Sequence, residues 1–227
     1  MRVLAIDTAL AACSAAVLDT VEGGIVASES LPMTRGHAEA LMPLLARLMK
    51  KARMSFRDLD RVAVTTGPGS FTGLRVGLSA ARGIALAAGL PAVGLSTLSA
   101  YAAPHLAEDD TTPVVAAIDA RHEHVYLQVF GPGGRTAMAP RLAPLSDAVR
   151  AATATPAHLV GSAAAAIANK LAAYGVTPAG VDSRGAPDIA WVAQMGAALP
   201  EGQSPPRPLY LQAPDAQPQN AAQLPRR

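Results

Sequence analysis

The sequence predicts an α/β fold of two similar lobes, each a mixed sheet with helices packed against it. Half of the 227 residues are apolar, which allows a sizeable core. The tripeptide Ala-Ile-Asp ends an apolar run at Asp7 and ends another at Asp119, about half the chain later. Each run is followed by a turn and a further strand, and the predicted order βββαβα then repeats. We infer an internal duplication.

Five strands are predicted in the first half of the chain. Short apolar runs separated by small-residue turns indicate strands, and Gly23-Gly24 separates the second run from the third. A helix after the last of these strands can be capped by Ser96. The predicted strands are residues 3–8, 13–19, 25–31, 61–66 and 91–95.

The segment 36–53 predicts an amphipathic helix. Its apolar residues recur at intervals of three and four, which places them on one face. Pro43 either starts the helix proper or kinks it, because proline removes one backbone hydrogen bond. The apolar stripe consists of Leu41, Leu44, Leu45, Leu48 and Ala52.

The segment 70–88 predicts a second helix, with a ridge of small residues. Each interior glycine costs about 1 kcal/mol of helix propensity relative to alanine, and close approach of another backbone would offset that cost. The ridge can face this protein's own sheet or a partner. A separate polar stripe contains Arg75, Ser79 and Arg82. The ridge residues, four positions apart, are Gly73, Gly77, Ala81, Ala85 and Gly89.

The second half repeats the same order of elements. A Gly-Pro-Gly-Gly turn follows its second strand. We place the lobes at residues 1–108 and 109–212, and we expect the proline-rich tail 213–227 to be disordered. The predicted elements are strands 114–119, 123–130 and the run ending at 141, a helix at 145–152, a strand at 158–161 and a helix at 162–174.

Composition and motifs exclude several functional classes. The net charge is only +2, and no block of like charges forms a basic arm that grips nucleic acid unaided. The single cysteine, Cys13, excludes a disulfide framework. No long apolar stretch lacks charge, so we expect a soluble, cytoplasmic protein. His122 and His124 share a strand face without an evident third ligand, so no metal site is expected.

The turn before the second helix is the main candidate for anion or nucleotide binding. It is neither a Walker loop nor a dinucleotide fingerprint, but backbone N–H groups at a helix start can bind an anion. Aspartates at strand ends could hold a metal-bound phosphate. The structural alternative is that these residues form turns and a helix cap, which are far commoner than phosphate sites. The candidates are Asp7, Gly67, Gly69, Ser70, Thr72 and Asp119.

Several motifs together resemble the TsaB (YeaZ) family. The segment GPGSFTGLR at 67–75 is a highly specific marker, and the resemblance runs through Val125-Tyr126 before it weakens. Pro-Leu-Tyr-Leu at 208–211 is also similar, although Gln212 stands where arginine is expected. The other matching motifs are Ile6-Asp7-Thr8, Cys13-Ser14, Arg35-Gly36-His37, Leu41-Met42-Pro43 and Ser96-Thr97-Leu98.

This resemblance implies an actin-like, sugar-kinase-like fold and a role in forming N6-threonylcarbamoyladenosine at position 37 of tRNAs that read ANN codons. In the family, the chain is a non-catalytic partner of the paralogous transferase TsaD, and the ATPase TsaE joins the pair. ATP and metal belong to those partners. TsaD carries a metal-binding histidine pair where this chain has Thr97 and Tyr101, whose hydroxyls are poor transition-metal ligands.

From these observations we expect the helices at 36–53 and 70–88 to pack against the equivalent helices of TsaD, or against a second copy of this chain. Arg75 and Arg82 are candidates for a tRNA contact. The alternatives are an independent actin-like ATPase or phosphotransferase and, further off, a metallopeptidase. The expected partner contacts are Leu41, Leu44, Leu45, Leu48, Gly73, Gly77 and Ala81.

Overall fold

The computed structural model describes residues 1–200 and 204–212, and the predicted tail disorder at 213–227 lies outside them. They form two five-stranded mixed sheets, which confirms the predicted α/β class. The strands are β1 Arg2–Asp7, β2 Ala12–Asp19, β3 Gly24–Pro32, β4 Arg61–Gly67, β5 Ala92–Ser96, β6 Val114–Asp119, β7 His124–Phe130, β8 Thr136–Pro144, β9 His158–Val160 and β10 Gly180–Asp182. The helices are α1 His37–Ala52, α2 Phe71–Ala88, α3 Thr97–Glu108, α4 Leu145–Thr153, α5 Ala164–Ala172 and α6 Ile189–Ala198.

The two sheets share one topology. The first has the order β3-β2-β1-β4-β5 and the second β10-β9-β6-β7-β8. In each, the first three strands in sequence pair antiparallel and the last two join the other edge in parallel. Strand β6 is therefore the counterpart of β1, and their terminal residues, Asp119 and Asp7, occupy equivalent positions. The duplication read from the sequence is visible as repeated strand order.

Helix α6 was not predicted from the sequence, and it returns to the first lobe. Its residues Ile189, Val192 and Ala193 share a core cluster with Val3 and Ala5 of β1. Together with α3, this helix covers one face of the first sheet, while α1 and α2 cover the other. Because the first sheet is buried on both faces, its strands β1 and β2 are almost entirely inaccessible to solvent.

The leucine stripe of α1 is part of the core, so the predicted partner contact through it is wrong. The side chains pack against Leu4, Ile6, Val62 and Val64 of the first sheet. A helix that lies on a sheet buries its apolar face against that sheet, which leaves no part of the stripe for a partner. The exposed fractions are 1% for Leu41 and 0% for Leu44, Leu45 and Leu48.

The small-residue ridge of α2 also faces the protein's own sheet, which corrects the predicted partner contact at Gly73, Gly77 and Ala81. A Cβ atom at Gly73 would clash with the carbonyl oxygen of Thr8, and one at Gly77 would clash with Thr8 Oγ1. The Thr8 hydroxyl donates to the Gly73 carbonyl oxygen at 2.7 Å. Ala81 is fully buried. The last ridge residue, Gly89, is the left-handed C-cap of the helix.

Gly83 points the other way. A Cβ atom there would have no neighbour within 4 Å among residues 1–200 and 204–212, so packing within that part of the chain does not require a glycine. None of the helices in the described parts of the chain combines the length and the hydropathy that a membrane-spanning segment requires.

Matched alanine substitutions should separate the two faces of α2. Gly77→Ala forces Thr8 away from its hydrogen bond, and overpacking of this kind costs about 1–3 kcal/mol. Gly83→Ala adds a methyl group in open space and should stabilise the helix by about 1 kcal/mol. Urea unfolding measures both changes. Equal effects of the two substitutions would contradict the inward packing of the ridge.

Candidate functional site

Residues from both lobes line one cavity of about 630 Å³. The first lobe contributes the N-terminal turn of α2, with Ser70 and Thr72, and the second contributes the turn after β6, with Asp119 and Arg121. A C-terminal segment that includes Tyr210 forms a further wall. The structure therefore brings together most of the predicted anion-binding residues, and Asp7 is not among those that line the cavity.

The glycines before α2 serve the turn and its packing. Gly67 has φ +111°, and a Cβ atom there would lie 3.0 Å from both the Leu209 carbonyl oxygen and Leu74 Cδ1. A Cβ atom at Gly69 would clash with the Ala9 carbonyl oxygen, which accepts the Ser70 backbone N–H at 2.8 Å. These contacts support the structural alternative for both glycines.

Ser70 and Thr72 differ in their surroundings. Ser70 Oγ accepts the Gly73 backbone N–H at 3.3 Å and so caps α2, as predicted for one of the two hydroxyls. Thr72 is exposed and lines the cavity. Ser70 also lines the cavity and keeps its O–H donor, so both hydroxyls are available to a molecule in the cavity, whereas only that of Ser70 caps the helix.

Asp7 is sealed inside the first lobe. Its Oδ1 accepts the Thr65 hydroxyl at 2.5 Å and the Ala9 backbone N–H at 3.1 Å. Its Oδ2 is buried and has no hydrogen-bond partner among the described residues. Burial raises the pKa of Asp7, while the bonds from Thr65 and Ala9 oppose that rise. Asp7 therefore acts in this structure as a buried turn former.

Asp119 makes the equivalent turn but faces the cavity. Its Oδ1 accepts the Arg121 backbone N–H at 2.9 Å, the same two-residue spacing that joins Asp7 to Ala9. Three consecutive residues of this turn have positive φ: 66° for Arg121, 49° for His122 and 58° for Glu123. Left-handed backbone at non-glycine residues is strained and often found at functional sites. A turn after Asp119 is predicted from the sequence, but its left-handed backbone is not, because none of residues 121–123 is glycine or asparagine.

Thr97 and Tyr101, the positions where the resemblance implies a histidine pair in TsaD, are part of the core in this chain. Thr97 is fully buried, and Tyr101 is 2% exposed. The Tyr101 hydroxyl donates to the Arg184 carbonyl oxygen at 2.9 Å, and burial raises the pKa of Tyr101. Within residues 1–200 and 204–212, no group of three or more histidine, cysteine, aspartate or glutamate side chains is placed to hold a metal ion.

A second candidate surface is the solvent side of α1 and α2, which pack side by side. We call it the outer helix face. Met42 on α1 is 51% exposed and Leu86 on α2 is 86% exposed. The small residues Ala46, Ser79 and Gly83 of the same two helices are exposed as well. The outer helix face consists of Met42, Ala46, Ser79, Gly83 and Leu86.

The two arginines predicted to contact tRNA are engaged by the chain itself. The Arg75 guanidinium lies 3.7 Å from the centroid of the Phe71 ring, and its Nε donates to the Tyr210 hydroxyl at 3.3 Å. Arg82 Nε donates to the Pro206 carbonyl oxygen at 2.9 Å. Both residues remain exposed, and their contact with tRNA stays a prediction.

The chain is similar in sequence to proteins that are named for tRNA modification. The family model of TsaD, tRNA N6-adenosine threonylcarbamoyltransferase, matches residues 13–190. The tRNA threonylcarbamoyladenosine biosynthesis protein TsaB of Escherichia coli is 41% identical over 126 residues, which are 56% of this chain and 53% of that protein. The match thus spans about half the length of that relative. An uncharacterized protein of Mycobacterium tuberculosis is 32% identical over 216 residues, 95% of this chain and 94% of its own.

Solved structures agree with these sequence relationships. YeaZ from Pseudomonas aeruginosa superposes with a TM-score of 0.76 at 28% identity, and the match covers 92% of this chain and 99% of that one. The ethanolamine utilization protein EutJ from Carboxydothermus hydrogenoformans shares the fold at 12% identity, with a TM-score of 0.54 over 86% and 90% of the two chains. Together with the repeated sheet topology, these likenesses confirm the predicted actin-like α/β fold.

The buried carboxyl group of Asp7 should make stability depend on pH in a definite direction. Because its pKa is raised, folding retains a proton that the unfolded chain releases near pH 4. The stability contributed by Asp7 is thus complete in acid and falls as the pH rises through the raised pKa. Asp7→Asn stays neutral and keeps an acceptor for Thr65 and Ala9. Its free energy of unfolding should therefore increase relative to wild type between pH 4 and pH 8, as measured by urea unfolding.

Asp109 supplies a control of opposite sign. Hydrogen bonds from Thr111 and Thr112 lower its pKa, so the stability that its carboxylate contributes is complete above the unfolded pKa of about 4 and is lost below it. Asp109→Asn should therefore lose stability relative to wild type as the pH rises from about 2 to about 5, with a constant difference above that range. A pH-independent difference between Asp7→Asn and wild type would show that Asp7 is ionised in the folded protein.

Proposed function

This chain belongs to the TsaB (YeaZ) family, and we propose that it is the non-catalytic partner and activator of TsaD. The reaction served is the formation of N6-threonylcarbamoyladenosine at position 37 of tRNAs that read ANN codons. Its TsaB relatives are named for biosynthesis of this modification, which supports a role in the same process. The match to the TsaD family model supports descent from a common ancestor with the transferase itself.

The burial of Thr97 and Tyr101 supports the non-catalytic part of the proposal. Tyr101 points its hydroxyl at a backbone carbonyl, and Thr97 lies inside the first lobe at the start of α3. Neither side chain is open to a substrate. In the proposal, the metal and ATP are held by the partner subunits, TsaD and TsaE, and this chain contacts tRNA indirectly in the cytoplasm.

The observation that carries the partner role is Gly83. An interior helical glycine costs about 1 kcal/mol relative to alanine, and Gly73 and Gly77 are explained by their contacts with Thr8. Nothing in the described chain explains Gly83. Close approach of a helix from another subunit would explain it, since two backbones can approach only where side chains are small. Leu86, one turn further along the same helix and 86% exposed, supplies apolar area for such a contact.

The outer helix face therefore replaces the buried leucines as the proposed contact with TsaD. A surface of this kind can also pair with itself around a two-fold axis, so we propose that the isolated chain forms a homodimer through the same residues. Both assemblies would bury Gly83. They cannot form together on one protomer.

The competing function, an independent ATPase or phosphotransferase, would use both aspartates and the glycine turn around one phosphate. The structure separates these groups: Asp119 and the turn line the cavity, whereas Asp7 is fully buried and bonded to Thr65. The geometry gives this alternative no specific support, and we do not advance it.

Gly83→Leu should weaken the affinity for TsaD at least tenfold, because the added side chain would block the approach of a partner helix. The monomer should stay folded, because the described residues of this chain leave room for the side chain. Isothermal titration of purified TsaD with the variant measures the affinity. Ala166→Leu, an exposed alanine on α5 of the second lobe, is the matched control and should bind like wild type. Wild-type affinity of Gly83→Leu would remove the outer helix face from the interface.

A further inference from the structure

Residues 204–212 run along the surface of the first lobe and end beside the second. We call this segment the C-terminal strap. It follows α6 in the sequence and contains the Pro-Leu-Tyr-Leu motif, to which the pairing function assigns no role. The strap is held by specific contacts along its length, and these contacts fall on three different parts of the molecule.

The first group of contacts fastens the strap to the first sheet. The Leu209 backbone N–H donates to the Thr66 carbonyl oxygen at 2.8 Å, at the end of β4. Pro206 is buried and lies against Gly94 of β5, where a Cβ atom on the glycine would come within 2.8 Å of Pro206 Cβ. The carbonyl oxygen of Leu209 lies against Gly67. The strap therefore packs on backbone that is kept bare of side chains.

The second group fastens the strap to α2. The Tyr210 ring lies 5.3 Å from the Phe71 ring, measured between centroids, with the planes tilted by 34°. Arg75 stacks on Phe71 and donates to the Tyr210 hydroxyl, while Arg82 donates to the Pro206 carbonyl oxygen. Phe71 is the first residue of α2, so Tyr210 holds the helix at the turn that lines the cavity.

The third contact crosses to the second lobe. The hydroxyl of Tyr126, on β7, donates to Gln212 Oε1 at 3.4 Å. Residues 209–212 line the same cavity as Asp119 and Arg121. One short segment thus touches the sheet of the first lobe, the first residue of α2 and the sheet of the second lobe.

We propose that the C-terminal strap is a clasp that closes the cavity between the lobes and fixes the N-terminal turn of α2, so that its release opens the cavity. The inference rests on the contacts of this chain alone and does not require TsaD. Tyr210 joins the strap to α2 in two ways, because its ring packs against Phe71 and its hydroxyl accepts a hydrogen bond from Arg75 Nε.

Hydrogen–deuterium exchange of the full-length protein tests the clasp. Tyr210→Ala should speed exchange at least fivefold at the Leu209 amide, in residues 67–74 and in residues 118–126. Tyr210→Phe keeps the ring contact and should restore most of the protection. The matched control is Tyr174→Ala, which removes a tyrosine that is 73% exposed on the second lobe and should leave all three regions unchanged.

Faster exchange in the two cavity segments, absent from the control, supports the clasp. If exchange rises only within the strap, the strap does not protect the two segments that line the cavity, and the proposal is overturned. Unchanged exchange in all regions overturns it as well. Because no arm of the experiment contains TsaD, failure here leaves the proposed pairing untouched, and failure of pairing leaves this inference intact.

Discussion

The approach of α2 to the end of β1 is the constraint on which the candidate surfaces depend. Thr8 presents its carbonyl oxygen to Gly73 and its hydroxyl to Gly77, and a Cβ atom at either position would force Thr8 to shift. This contact fixes the rotation of α2 about its axis. The rotation in turn decides that Gly83 faces solvent and that Thr72 faces the cavity. One threonine therefore sets both the outer helix face and one wall of the cavity.

Duplication gave the molecule two aspartates in equivalent positions with different surroundings. Asp7 lies in a lobe whose sheet is covered on both faces, since α6 returns to pack on it, and its carboxyl group is sealed. Asp119 ends the equivalent strand of the second lobe and opens onto the cavity. The same local turn, an aspartate accepting the N–H two residues on, is thus a core element in one lobe and a cavity wall in the other.

Sequence periodicity predicted the elements well and the outward faces poorly. The four leucines of α1 and the ridge of α2 were correctly placed on single faces, but periodicity does not say what a face packs against. Both faces are buried by the chain's own sheet. The strained turn at 121–123 and the strap depend on contacts between residues far apart in sequence, such as Arg82 with Pro206, which no local pattern encodes. The sequence shows a glycine at position 83, but only the structure shows that a Cβ atom there would have no neighbour within 4 Å among the described residues.

The central claim is that this chain acts through TsaD and performs no chemistry of its own. Reconstitution of tRNA modification from purified TsaD, TsaE, the threonylcarbamoyl-adenylate synthase and an ANN-decoding tRNA tests it most directly. We expect N6-threonylcarbamoyladenosine to form when the chain is present and to fall at least tenfold when it is omitted, with none formed when the chain replaces TsaD. Full modification without the chain, or modification by the chain in the absence of TsaD, would contradict the account.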